Sequence, residues 1–215
     1  SGRQAIKSKV VIDATGDGDI FASAGAEFDG KADPNLRSSK LALVFQVGRI
    51  DIDKFSEYRS SNPEEYSAKL QELVKLGGFT KPMRSALDDV MWFNNQLPGS
   101  AINVEELTWV EVNARKSMLI TQDYFKKHIP GFENSFIMNT ASQVGVRGSR
   151  RLIGEYIITQ NDVLKGTVFK DTIAVCPPFN YNMSPENPCM YIPYRSLIPR
   201  KVDNLLAAGR CLSSD

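Results

Sequence analysis

Two short apolar runs, each stopped abruptly by a glycine turn, constrain this chain more than any other feature. The first is Lys9 to Asp19, KVVIDATGDGD, and the second lies near the other end, Asp203 to Ser213, DNLLAAGRCLS. Val10, Val11 and Ile12, flanked by turn residues, read as a buried strand of a parallel sheet. Leu205, Leu206, Ala207 and Ala208 repeat the design before Gly209. Glycine has no side chain, so the backbone at Ala14, Thr15 and Gly16 can pass close to a ligand. The reading that unites the two runs is a single nucleotide-binding sheet, with the intervening chain inserted into it as a second domain.

The insertion carries its own signals. Lys40 to Gly48 alternates, with Leu41, Leu43, Phe45 and Val47 on one face, and reads as a central strand of an antiparallel sheet. Asn62, Pro63, Glu64 and Glu65 form a strong helix start, and Gly77 and Gly78 end that helix. Val90 to Leu97 is a further strand. Asn103 opens the longest helix, to about His128, whose apolar stripe is core packing rather than a cofactor box. Ser135 to Ser142, Ile153 to Thr159 and Thr172 to Cys176 read as strands, Asp162 begins a short helical turn, and Asp19 to Ala26 is a short helix of small residues. Gly30 to Ser39 is a polar loop, and the Pro- and Asn-rich stretch from Pro177 to Pro188 is either a lid or an irregular connection.

Several chemistries are disfavoured. A net charge of +1 gives no basic face for nucleic acid. No apolar segment approaches the roughly 20 residues of a membrane span. Asp13, Asp17 and Asp19 fail the spacing of a calcium loop, so no metal is expected there. Cys176, Cys189 and Cys211 are odd in number and contain no CxxC pair, which suits three reduced thiols in a cytoplasmic protein. His128 is the single histidine, at a helix end before Pro130, and no GxSxG elbow is present, so a hydrolase triad is disfavoured. Arginines gather at Arg147, Arg150 and Arg151, and again at Arg195, Arg200 and Arg210. Their forks suit carboxylate or phosphate, although a salt-bridged loop is the ordinary explanation.

Three ordered blocks, VVIDATGDGDIFASAGAEF, PGFENSFIMNTASQVGVRGSRRLIGEYIITQNDVL and IPYRSLIPRKVDNLLAAGRCLS, resemble the FAD-dependent oxidoreductase family of glutathione-reductase-like flavoproteins. The match is weakest between about Lys54 and Asn103. The resemblance implies an α+β fold: a substrate domain at 27–201 with a mixed or antiparallel sheet and flanking helices, and two strands of a Rossmann-like FAD-binding domain at 1–26 and 202–215. It implies FAD beside Ala14, Thr15, Gly16 and Asp17 and beside Gly209 and Arg210. Arg147, Arg151 and Arg195 are the implied contacts for a small anionic substrate. Arg151, Arg195 and Tyr194, the last as a proton donor, are the candidates facing the chemistry.

The sequence departs from the family in three places. No GxGxxG turn precedes Lys9, no helix follows the AGR strand, and Gly148 stands where the family usually has an acidic residue. The expectation is therefore a piece of a flavoenzyme that holds FAD weakly or not at all by itself and purifies colourless and inactive. The competing reading is a non-catalytic ligand-binding or interaction domain on the same scaffold. Nothing in the residues sets the oligomeric state.

Overall fold

The computed structural model describes residues 2, 4–30, 40–178 and 184–215. The polar loop expected at Gly30 to Ser39 lies outside them beyond Gly30, as do residues 179–183 of the Pro- and Asn-rich loop. In chain order the first elements are β1 (Val11–Asp13), α1 (Asp19–Ser23), β2 (Phe28–Asp29), β3 (Lys40–Gly48), α2 (Ile52–Ser61), α3 (Pro63–Lys75), β4 (Pro82–Arg84), β5 (Met91–Pro98) and α4 (Val104–His128). Next come β6 (Phe136–Thr140), β7 (Gly145–Val146), β8 (Arg151–Leu152), α5 (Gln160–Lys165), β9 (Thr172–Cys176), β10 (Met190–Pro193) and β11 (Leu205–Ala207). Helices beside separate, largely antiparallel sheets make the fold α+β.

The chain divides into two compact units, Ser1–Ala32 with Gly148–Asp215, and Asp33–Arg147. Residues 148–201, expected to share a domain with 27–147, therefore group with the two ends of the chain. Strand pairing gives the reason: β8 pairs with β2, and Gly154 bridges to Pro199.

Within Asp33–Arg147, β3 is central as its alternation predicts. The sheet runs β4-β5-β3-β6, and β7 lies beside the first half of β3. Register pairs Phe45 with Phe93 and Val47 with Met91, so the apolar residues of both strands share one face. On that face α4 buries Val110, Ala114, Met118 and Phe125, residues on one stripe of the helix. The rings of Phe45 and Phe93 stack at 5.0 Å, and Phe125 meets Phe93 edge-on at 5.2 Å. Asn95 is buried here too, and its amide is satisfied by donating to the Ala114 carbonyl at 3.0 Å.

The caps mix agreement and correction. Asn103 caps α4 as expected, its side-chain oxygen accepting from the Glu106 amide at 3.0 Å. Asn62 does not cap α3 with its side chain; it donates instead to the Tyr58 carbonyl at 3.3 Å, closing α2. Helix α2 itself is not foreshadowed by periodicity, because only Phe55 of that helix is buried, too narrow an apolar face to register as a period.

The other unit has a small core of Phe21, Ala26, Leu152, Leu205, Ala207 and Cys211. β1 and β11 are parallel, with Val11 opposite Leu205 and Asp13 opposite Ala207. The expected burial of β1 does not hold: Ile12 is 60% and Val11 38% exposed. β11 is its only strand partner among the described residues, so most of its apolar surface stays open. The strand expected at Ile153 to Thr159 is absent as well. That backbone is held by isolated bridges, Gly154 to Pro199 and Ile158 to Ser214, and by Ser213 Oγ accepting from the Gly154 amide at 3.0 Å.

Asp13, fully buried, ties β1 to the glycine turn and to α1. One carboxylate oxygen accepts from the Thr15 amide (3.0 Å) and hydroxyl (2.8 Å), and the other accepts from the Phe21 amide in α1 (2.8 Å). Burial by itself pushes this carboxyl up, but the hydrogen bonds from Thr15, Phe21 and Ile20 together outweigh it and hold Asp13 below the ordinary aspartate range. A carboxyl lower in the folded than the unfolded state stabilises the fold above its unfolded value of about 3.9, and that contribution disappears as the pH falls through the folded value.

Asp13→Ala leaves the buried Phe21 amide without an acceptor and is expected to cost about 1–3 kcal/mol at pH 7 in urea denaturation. The gap from wild type should narrow as the pH falls below about 4; a gap unchanged down to pH 3 would show that the charge on Asp13 is not what matters. In the other unit, Phe93→Ala removes a ring with no solvent exposure and should cost about 3–5 kcal/mol, read from the same measurement.

Candidate functional site

The parallel pair brings the two glycine turns to one place. β1 and β11 end at the same level, where the Ala208 amide donates to the Asp13 carbonyl at 2.8 Å. Both turns therefore leave the carboxyl end of the pair, the end at which parallel strands present ligand sites.

Side chains then fill in. Gly16 has φ of 83°, and a Cβ there would lie 2.8 Å from Cζ of Arg210, so the guanidinium can rest on the turn only because residue 16 is glycine. Arg210 Nη2 donates to Asp17 Oδ1 at 3.0 Å. The same oxygen accepts from Ser149 Oγ at 2.5 Å, and the Asp17 carbonyl accepts from Arg150 Nη1 at 2.9 Å. Arg150 also pairs with Asp19 at 2.8 Å and covers the ring of Phe28 at 5.5 Å. The cluster balances two carboxylates against two guanidiniums. Gly209, with φ of 93°, has open space where a Cβ would stand.

Of the residues expected at the cofactor, Gly16, Asp17 and Arg210 are thus in mutual contact. Ala14 and Thr15 sit exposed on the same turn. The Thr15 hydroxyl is already committed, donating to Asp13 and accepting from the Asp19 amide at 3.0 Å. The arginine loop behaves differently from expectation. Arg151 pairs with Asp29 at 3.3 Å across β8 and β2, while Arg147 is the last residue of the other unit. It is Ser149 and Arg150, between them, that reach the Asp17 turn. The only signal for them in the sequence was the acidic pair Asp17 and Asp19, which needs cations from somewhere.

Arg195 lies in a single 3-10 turn, Tyr194–Ser196. Its guanidinium covers the rings of Tyr156 at 4.6 Å and Phe169 at 5.6 Å, and its Nε stands 3.7 Å from Asp171. Tyr194 is 43% exposed, and its amide donates to the Asp171 carbonyl at 2.8 Å. Cys211, between the two turns and the core, is no nucleophile. Burial first, and the negative charge of Asp13 second, push its thiol up and keep it protonated.

The turns offer a guanidinium, a carboxylate and the amides of Gly209 and Arg210; among the described residues, these amides meet no acceptor and one oxygen of the carboxylate meets no donor. Donors of this kind suit phosphate oxygens, and a carboxylate suits sugar hydroxyls. Among the described residues no three His, Cys, Asp or Glu stand together as a metal site, and no helix is long and apolar enough to cross a membrane.

No curated protein and no solved structure matches the chain. The sequence model described as FAD dependent oxidoreductase matches residues 1–215, the whole of it, and the chain belongs to that family.

Proposed function

We propose that this chain serves an FAD-dependent redox reaction, in which hydride or electrons pass between a small-molecule substrate and FAD. The observation that carries the reading is the parallel pair of β1 and β11, whose glycine turns end side by side with Arg210 laid over Gly16 and bound to Asp17. On this reading β1 and β11 are strands of a Rossmann-like FAD-binding sheet.

The residues fit a dinucleotide. The open space at Gly209 lets an extended ligand approach the backbone, and Gly16 lets the Arg210 guanidinium lie against the turn beside it. Arg210 and the amides of Gly209 and Arg210 would hold phosphate oxygens, while Asp17 would accept from a hydroxyl of the ribityl or ribose part. Because Asp17 already neutralises Arg210, the site attracts phosphate through hydrogen bonds more than through net charge. Bound FAD supplies a reversible two-electron acceptor, and the protein contributes position and polarity around it.

For the substrate, Arg195 is the strongest of the three arginines proposed. Its position over two rings fixes its fork, and its two Nη groups carry no hydrogen bond to the described residues. Beside it Tyr194 could hand a proton to the substrate. Arg151 remains a proposal for an anionic group at the expense of its pairing with Asp29, and Arg147 remains a separate proposal on the other unit.

Titration with FAD, followed by quenching of flavin fluorescence, should show weak saturable binding. Arg210→Ala should weaken it about 10-fold or more, the loss expected for one charged hydrogen bond. Equal affinity in the variant would overturn the assignment of these turns to FAD.

A further inference from the structure

The geometry points to a second ligand site, built wholly within Asp33–Arg147: a cleft of about 510 Å³ between α2 and the edge strand β4 that binds a small organic oxyanion. This does not depend on FAD binding at the glycine turns.

One helix and one strand supply the groups. Phe55, Ser56, Arg59 and Ser60 share one face of α2, at successive positions one helical turn apart. Arg84 comes from β4, opposite Met91 of β5, and Pro82 completes the wall. The backbone at Arg84 is pinned, because Trp92 Nε1 donates to its carbonyl at 3.1 Å. Phe55 and Met91 are buried at 2% and 3% exposure, which gives the cleft an apolar floor under a charged rim.

The rim is what asks for a ligand. Arg84 Nη2 reaches Ser56 Oγ at 3.5 Å, and Ser60 Oγ donates to the Glu57 carbonyl at 3.0 Å. Among the described residues neither Arg59 nor Arg84 has a carboxylate within ion-pair distance. Arg84 also borders a neighbouring cleft lined by Asp51, Asp53 and Asp88, yet pairs with none of them; Asp51 is occupied in capping α2 at the Lys54 amide, 2.9 Å away. Two guanidiniums on one cleft repel each other, and an oxyanion between them removes that repulsion while accepting from both forks.

The size of the cleft sets the rest of the ligand. Small-molecule sites span about 300–1,000 Å³, well beyond a bare phosphate or carboxylate. The occupant is therefore a carboxylate or phosphate monoester carried on an apolar or aromatic body, with the body against Phe55, Pro82 and Met91 and the anion toward Arg59 and Arg84.

Phenyl phosphate and benzoate, titrated into the whole chain without FAD and followed by amide NMR shifts, are the probes. At least one should bind 10-fold or more tightly than both phenol and inorganic phosphate, with shifts centred on residues 55–60 and 82–84. Preference for benzoate assigns a carboxylate ligand and preference for phenyl phosphate a phosphate ester. Arg59→Ala with Arg84→Ala should weaken that binding by 10-fold or more, and the double lysine variant should recover part of it, since charge returns without the planar fork. Equal binding of phenol and both anions, or affinity unchanged in a double alanine variant that melts like wild type, would overturn the site.

Discussion

The buried carboxylate of Asp13 is the interaction on which the unit holding both chain ends depends. It stands at the last position of β1, opposite Ala207, and takes hydrogen bonds from the turn and from α1 at once. Strand, turn and helix are thereby fixed relative to one another by two oxygen atoms. Gly16 and Asp17 lie between the tied points, so their placement under Arg210 follows from the tie rather than from any strength of their own. The surrounding ion pairs are partly solvated and individually weak. They orient the turn; Asp13 holds it.

How much of this was legible depends on whether the deciding contact was local. The alternation of Leu41 to Val47 and the stripe of α4 are one-dimensional patterns, and both elements stand where the residues put them. The two glycine turns were legible for the same reason, since a strand ending in glycine needs no distant partner to be seen. Asp13 shows the opposite. Its spacing from Asp17 and Asp19 suggested only a failed metal loop and a polar strand end, because its partner in α1, the Phe21 amide, is backbone and leaves no trace in residue identity. Arg150 was likewise indistinguishable from Arg147 and Arg151 until Asp17 and Asp19, over a hundred residues earlier, were folded against it. The missing acidic residue at Gly148 matters less than its neighbours suggested, for Arg150 and Arg151 draw their carboxylates from Asp19 and Asp29.

Arginine plays distinct parts in the unit that holds both chain ends. Arg150 and Arg210 neutralise a turn, Arg151 joins two short strands, and Arg195 is laid over two rings. Arg59 and Arg84 do none of these, and their difference lies in the surface beneath them, where Phe55 and Met91 form the floor of a cleft. What a guanidinium does here depends on what is folded against it, a carboxylate at Arg150 and Arg151 and an apolar floor at Arg59 and Arg84.

The pairing of β1 with β11 also sets an order of events. Val11 finds its partner in Leu205, far along the sequence, whereas the sheet and helices of Asp33–Arg147 close among themselves. Closing so long a loop is slow, and on a growing chain it must wait until all the intervening residues have been synthesised. The strand made early is thus among the last to be paired, and its backbone edge stays open to solvent and to other chains for most of that interval.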